Sequence, residues 1–221
     1  MRNEIIEAYN EAVFDTDRDR ALAVIHAALE QGVTPEQIVF EVIIPAMESM
    51  MKAISEDFDA NLAQHFMAAQ IASEVTEQMV ARFSSPPEIL GRIVIGTSVG
   101  DMHTLGKRIV SGCLRSLMIE VVDLGVNVAP ERFVDKAEEI GAPVIAISSM
   151  MMHTATSERG CRKVRELLKE RGLEGRIKIV VGGAPYRWDH DLYKSVGADA
   201  WAENGITAGE VIRQIVLEAS Q

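Results

Sequence analysis

The spacing of hydrophobic residues changes at Ser84-Ser85-Pro86-Pro87, and this change constrains the fold more than any other feature of the 221-residue chain. Before this segment, apolar residues recur every three or four positions, as helices require. After it, short apolar runs typical of strands alternate with helical stretches. Paired prolines cannot continue a helix and favour extended backbone before them. We therefore predict a linker at about residues 84–88, with one domain over residues 1–84 and a second over 89–221.

The first domain is predicted to be helical throughout. Ile6, Tyr9 and Val13 share one helical face. The segment Thr34-Pro35-Glu36-Gln37 predicts a helix start, because Thr can cap the helix, Pro suits its first position and Gln can close a capping box. Pro45 is expected to kink that helix or begin another. Four or five helices, the last spanning about residues 61–83, indicate a small bundle.

The second domain is predicted to be α/β. Alternating strands and helices favour a doubly wound, five-stranded parallel sheet that is covered by helices on both faces. Its predicted strands are residues 92–96, 119–123, 143–147, 178–182 and, more weakly, 198–201. Its predicted helices are about residues 104–117, 130–140, 157–172, 189–196 and 205–219.

The net charge excludes several functions. The chain carries −11 at pH 7, and the part up to Pro87 has five Lys or Arg against fifteen Asp or Glu. A nucleic-acid binder that contacts phosphates needs a basic face, and a polybasic membrane anchor needs clustered cations. No signal peptide or membrane span is expected, and the two cysteines are too far apart for a C-x-x-C metal motif. We expect a cytoplasmic protein.

Polar and glycine residues follow three predicted strands, where ligands bind in sheets of this type. The first loop contains Gly100-Asp101-Met102-His103-Thr104-Leu105-Gly106, the second Ser148-Ser149-Met150, and the third Gly182-Gly183. The three loops supply an imidazole, a carboxylate and hydroxyls, and their glycines let a ligand come close to the backbone. Each residue also has an ordinary interpretation as a cap, a turn or a surface side chain.

These residues resemble the cobalamin-binding signature D-x-H-x-x-G … S-x-L … G-G. Asp101-x-His103-x-x-Gly106 matches the first block, Ser148-x-Met150 the second and Gly182-Gly183 the third, with 41 residues between Gly106 and Ser148. A helical bundle ahead of such a domain is similar to the corrinoid proteins of methyltransferase systems. The resemblance covers essentially the whole chain and implies a Rossmann-like cobalamin-binding domain.

The resemblance implies a corrinoid cofactor and assigns its site. His103 is the implied cobalt ligand, replacing the cofactor's own base (base-off, His-on), with Asp101 bonded to its far ring nitrogen and Ser148 bonded to Asp101. The implied cofactor-binding residues are Gly100, Asp101, Met102, His103, Thr104, Leu105, Gly106, Ser148, Met150, Gly182, Gly183 and, from the bundle, His65. The glycines would let the displaced nucleotide tail approach the sheet.

Two functions within cobalamin chemistry stay open. A corrinoid carrier would shuttle a methyl group between a substrate-specific methyltransferase and a second, acceptor methyltransferase, and would itself be a non-catalytic subunit. A cobalamin-dependent sensor would use His65, preceded by Gln64, as an upper-face ligand; this pair resembles the Glu-His pair of such sensors, although their nearby Trp is missing.

Other interpretations fit less well. The small subunit of a cobalamin mutase seldom carries such a helical domain, and a receiver domain needs clustered acids that are missing after the first strand. The sequence predicts no nucleic-acid or membrane partner and leaves a homodimer open. The methyl donor is not encoded here, because the resemblance places that specificity in the partner.

Overall fold

The stretches of helical hydrophobic periodicity become helices that pack on one another in the N-terminal part of the chain. The computed structural model of the protein describes residues 2–56, 62–84 and 89–219, with side chains for all of these except 2, 51–56, 62, 63, 65 and 206. The helices of this part are α1 (Arg2–Phe14), α2 (Arg18–Glu30), α3 (Pro35–Ile38), α4 (Ile44–Glu56) and α5 (Leu62–Val80). Their buried face includes Tyr9, Ile25, Ile38, Met47 and Ile71.

The expected helix start at Thr34 is confirmed. The Thr34 hydroxyl accepts a hydrogen bond from the Gln37 amide at 3.2 Å, and the Gln37 side chain accepts one from the Thr34 amide at 3.0 Å. Of the two expectations for Pro45, the second is confirmed: it is the second residue of a new helix, α4. Residues Val39–Ile43 form a π-helical turn, in which the Ile44 amide donates to the Val39 carbonyl five residues earlier. Pro45 has no N–H for a regular bond to residue 41, so the wider turn is accommodated there.

The second part of the chain is the α/β structure that the period change predicts. All five strands of its sheet are parallel, in the order β2-β1-β3-β4-β5. The strands are β1 (Gly91–Thr97), β2 (Ile119–Asp123), β3 (Val144–Ser148), β4 (Lys178–Gly182) and β5 (Ala200–Ala202). The helices are α6 (Leu105–Ser116), α7 (Pro130–Ile140), α8 (Met152–Ala155), α9 (Cys161–Glu170), α10 (Ala184–Trp188), α11 (Leu192–Ser195) and α12 (Gly205–Ala219).

Two helices differ from their predicted extents. The helix expected over residues 157–172 is shorter, and the short α8 precedes it. The helix expected over residues 189–196 is replaced by α10 and α11, which are separated by residues 189–191. The apolar residues that suggested the first helix, Val164, Leu167 and Leu168, lie in α9 and are buried there, and Leu192 and Val196 of the second are buried in the same core.

Both faces of the sheet are buried, because successive strand residues point to opposite sides. Val94, Ile145 and Val181 pack in a core with residues of α7 and α9. Ile93 and Val144 pack in a second core with residues of α6 and α12. This arrangement is the doubly wound fold.

The chain divides into two compact units: residues 1–88 with 115–117, and residues 89–114 with 118–221. Within the part of the chain that is described, no helix is both long enough and apolar enough to cross a lipid bilayer.

Candidate functional site

The carboxyl ends of four strands form one row across the sheet. Thr97 lies beside Ser148, Ser148 beside Gly182, and Gly182 beside Ala202. The chain leaves β1 towards α6, on one face, and leaves β3 towards α8 and α9, on the other. The loops after β1 and β3 therefore diverge, and such a crevice is where doubly wound sheets bind ligands.

Asp101 is the buried centre of this region. Its side chain is 0% exposed, and its carboxylate accepts four hydrogen bonds. One oxygen accepts from the His103 amide at 3.0 Å and lies 2.7 Å from His103 Nδ1. The other accepts from the Met150 amide at 2.7 Å and from the Thr154 hydroxyl at 3.0 Å. The carboxylate thus joins the loop after β1 to the loop after β3.

These bonds keep Asp101 ionised. Burial alone would raise the pKa of the carboxyl, but the hydrogen bonds from His103, Met150 and Thr154 outweigh it and hold the pKa below its usual value. An ionised carboxylate can only accept hydrogen bonds. The hydrogen between Asp101 and His103 is therefore on Nδ1 of the imidazole.

His103 presents its other ring nitrogen outward. The side chain is 54% exposed, and within the described residues its Nε2 has no hydrogen-bond partner. With the hydrogen on Nδ1, Nε2 keeps its lone pair in the neutral ring. The Thr97 hydroxyl donates to the His103 carbonyl at 2.9 Å and holds the backbone at this point. The result is an oriented imidazole that can bind a metal ion through Nε2.

The expected hydrogen bond from Ser148 to Asp101 is wrong. Among the residues that the structure describes, the donors to this carboxylate are His103, the Met150 amide and Thr154. Ser148 is the last residue of β3, whereas α8 winds the chain back and carries Thr154 to Asp101. Sequence reasoning missed Thr154, although it is the only hydroxyl residue between positions 150 and 155.

The surroundings of His103 are apolar and exposed. Met102 is 67% exposed, Leu105 45%, Met150 37% and Met152 46%. Large apolar side chains are therefore exposed in the loops after β1 and β3 and at the first residues of α6 and α8. Exposed apolar groups of this kind mark binding sites.

Three of the four predicted glycines differ in their surroundings. A Cβ at Gly106 would meet no atom within 4 Å, and one at Gly182 would meet only the Ala202 carbonyl at 3.5 Å. Gly183, with φ +124°, is packed against the chain itself, since a Cβ there would lie 1.9 Å from the Ser149 carbonyl oxygen. Gly183 is thus required by the contact between two loops, and Gly106 faces open space.

The other residues singled out in the sequence lie at loop or helix positions, or outside the described side chains. Gly100 has φ +81° and donates its amide hydrogen to Asn127. Thr104 is exposed and its carbonyl accepts from the Arg108 amide as α6 begins. The side chain of His65 lies outside the described residues, while Gln64 before it donates to the Phe14 carbonyl at 2.5 Å. His153 is exposed on α8.

A lone imidazole suits a metal ion whose other ligands come from a macrocycle. Within the described residues, no three His, Cys, Asp or Glu side chains are grouped so that they could hold a metal ion. The corrin ring supplies four nitrogens of its own, and the exposed apolar residues beside His103 suit a large ring. The residues present therefore fit a corrinoid.

Comparison with known families agrees with this fit. A B12-binding domain family matches residues 91–210, and a second B12-binding domain family matches residues 5–81. Trimethylamine corrinoid protein 1 of Methanosarcina mazei is 34% identical over 222 residues, which cover 98% of this chain and 99% of that protein. Dimethylamine corrinoid protein 2 of the same organism is 34% identical over 220 residues, with 98% and 99% covered.

Solved structures share the fold. A cobalamin-binding protein from Desulfitobacterium hafniense has a TM-score of 0.77 at 22% identity, over 95% of this chain and 98% of that one. The methanol:cobalamin methyltransferase complex of Methanosarcina barkeri also gives 0.77 at 22% identity, over 96% of this chain and 80% of the matched chain. Together the two domain matches and the full-length relatives show that the chain belongs to the methyltransferase corrinoid-protein family. Its cofactor is a corrinoid, and the metal is therefore cobalt.

Proposed function

We propose that the protein is a methyl carrier that binds its corrinoid base-off, with His103 as the lower cobalt ligand. One observation carries the proposal. The His103 ring is bonded through Nδ1 to a buried, ionised Asp101 and leaves Nε2 exposed at the carboxyl edge of the sheet. The bound corrinoid supplies a cobalt centre that accepts and releases a methyl group.

The chain's own residues set the strength of this ligand. Asp101 holds the hydrogen on Nδ1 and so keeps Nε2 as the ring nitrogen that can bind the metal. Thr154 and the Met150 amide stabilise the carboxylate charge through the bonds described above. A proton on Nε2 competes with the metal, so uptake of a proton by the His103–Asp101 pair favours release of the ligand. The pair can therefore adjust ligation during methyl transfer.

We assign the cofactor surface to the three loops at the sheet edge. The side chains of Met102, Leu105 and Met150 would cover the lower face of the ring, and the open side of Gly106 would admit the displaced nucleotide tail. Apart from His65, whose side chain lies outside the described residues, the assigned residues remain those predicted from the sequence: Gly100, Asp101, Met102, His103, Thr104, Leu105, Gly106, Ser148, Met150, Gly182 and Gly183. We add Thr154 to them as the hydroxyl partner of Asp101.

The partners follow from the carrier role. We propose that one methyltransferase methylates the bound corrinoid and that a second moves the methyl group to an acceptor. The relatives named above are corrinoid proteins for trimethylamine and dimethylamine. Methylated amines are therefore the first donor class to test.

The lower ligand is tested by isotope labelling. The protein is produced with nitrogen-15 histidine and loaded with cob(II)alamin, and its electron paramagnetic resonance spectrum is recorded. Ligation by a labelled imidazole splits the cobalt signal into doublets, whereas the cofactor's own unlabelled base gives triplets. We expect doublets that are lost in His103→Ala and kept in His153→Ala, the matched control at an exposed histidine on α8. Triplets in the labelled wild-type protein would refute His103 as the ligand.

The carrier role is tested by methyl transfer. The loaded, reduced protein is mixed with a methylamine-specific methyltransferase and a methylated amine, and its visible spectrum is followed. We expect conversion to the methylated form at a rate that depends on that enzyme. If no such enzyme methylates the protein, and if light changes the spectrum in wild type but not in His65→Ala, the sensor function replaces the carrier.

A further inference from the structure

The loop after β2, residues 124–129, runs beside the loop that carries Asp101 and His103. The Thr97 amide donates to the Gly125 carbonyl at 3.0 Å, and the Val128 amide donates to the Thr97 carbonyl at 3.0 Å. Ser98 and Val128 form an isolated parallel bridge. The backbone before Asp101 is therefore paired with this loop beyond the end of the sheet.

Asn127 makes the last two contacts of this pairing. Its side-chain oxygen accepts a hydrogen bond from the Gly100 amide at 2.8 Å. Its own amide donates to the Asp101 carbonyl at 3.0 Å. Asn127 therefore bonds to the amide of Gly100 and to the carbonyl of Asp101, the residue two positions before His103.

The conformation of Asn127 is unusual for a residue other than glycine. Its φ is +50°, in the left-handed region, which Asn tolerates better than most residues. The residue is exposed, so it does not complete a hydrophobic core. Gly100 has φ +81° and no side chain, and it restricts the loop little by itself. The loop therefore needs an external contact at this point.

We infer that Asn127 is a positioning residue for the lower cobalt ligand, a role that rests on the proposed ligation by His103. By holding the amide of Gly100 and the carbonyl of Asp101, it sets the backbone from which the Asp101 carboxylate and the His103 ring project. Without the side-chain oxygen, the Gly100 amide loses its partner and the loop gains freedom. The imidazole is then less well placed at cobalt.

The test is a competition for the lower position. Protein labelled with nitrogen-15 histidine and loaded with cob(II)alamin is titrated with unlabelled imidazole, which converts doublets into triplets as it displaces the protein ligand. The concentration of imidazole at half conversion measures how firmly His103 is held. Asn127→Gly keeps the left-handed backbone and removes the side-chain bond. We expect its half-conversion concentration to fall about fivefold, the effect of one hydrogen bond.

Two further variants separate positioning from a general loss of structure. Asn127→Asp keeps an acceptor oxygen for the Gly100 amide, and we expect it to stay within about twofold of wild type. Thr16 in the helical unit also has a left-handed backbone, with φ +57°, and Thr16→Gly replaces it with the residue that best adopts this conformation. We expect the half-conversion concentration of this variant to equal that of wild type. The inference is overturned if Asn127→Gly has the same half-conversion concentration as wild type, or if Asn127→Asp has one as low as Asn127→Gly. Triplets in wild type before any imidazole is added would instead reject His103 ligation.

Discussion

Replacing Thr154 by valine removes one hydroxyl from the Asp101 site and leaves the shape of the side chain almost unchanged. The hydroxyl oxygen lies 3.0 Å from the carboxylate of Asp101 and 2.8 Å from the carbonyl of Met151. A hydroxyl has one hydrogen, and the charged carboxylate is the stronger acceptor. In Thr154→Val the Met150 amide is the one donor left to this carboxylate oxygen among the described residues.

The expected loss follows from the burial of Asp101. Its side chain is 0% exposed, so water does not replace the missing donor. A hydrogen bond to a charged group contributes about 1.5–3 kcal/mol, and valine leaves no cavity that would add to this. We expect the free energy of unfolding to fall by about 2 kcal/mol. With a urea m-value of about 2 kcal/mol/M, the midpoint moves by about 1 M.

The assay can report the α/β unit alone. Both tryptophans of the chain, Trp188 and Trp201, are in that unit, so their fluorescence in urea follows its unfolding without the helical unit. The matched control is Ser148→Ala, which removes the hydroxyl that the sequence pattern had assigned to Asp101. We expect its stability to stay within about 0.5 kcal/mol of wild type.

Two results would refute the assignment of Thr154 as the hydroxyl donor to Asp101. If Ser148→Ala loses as much stability as Thr154→Val, the hydrogen bond that matters comes from Ser148 and the assignment from the structure is wrong. If neither variant changes the midpoint, the carboxylate does not depend on a hydroxyl donor at all.

Three further predictions concern other positions. Gly183→Ala should cost about 3 kcal/mol or more, because φ is +124° and the added Cβ would lie 1.9 Å from the Ser149 carbonyl oxygen; near-wild-type urea unfolding would contradict this. Gly106→Ala should leave the corrinoid-free protein as stable or more stable by about 0.5 kcal/mol, since helices favour Ala, yet weaken cobalamin binding in a spectroscopic titration; unchanged affinity would place the nucleotide tail elsewhere. The paired hydrogen bonds from Arg18 lower the pKa of Glu74, so their stabilisation is fully present above about pH 4.3, the ordinary Glu pKa, and is lost as the pH falls through the lowered folded value. Circular dichroism melts of wild type and Glu74→Gln should therefore differ near neutral pH and converge in acid, and a constant difference would show another cause.

The elements of this fold follow largely from local sequence. The period of apolar residues separates the helices before Ser84 from the strands after Ile89, because each period reflects backbone geometry within a few residues. Pro130–Ile140 and residues 205–219 are helices with the predicted bounds. The motif spacing also identified the loops that meet at the sheet edge, since parallel strands end on the same side.

The hydrogen-bond partners within the site depend on distances between residues far apart in sequence, which no local pattern encodes. The hydroxyl that bonds to Asp101 belongs to Thr154 and not to Ser148, because the short helix α8 turns the chain back after β3. Asn127 contacts the Asp101 loop from the connection after β2. These contacts join residues far apart in sequence, and side-chain hydrogen bonds require approach within about 3 Å. The sequence alone therefore determined the strands, the long helices and the loop that carries the imidazole, whereas only the tertiary structure decided which side chains hold that imidazole in place.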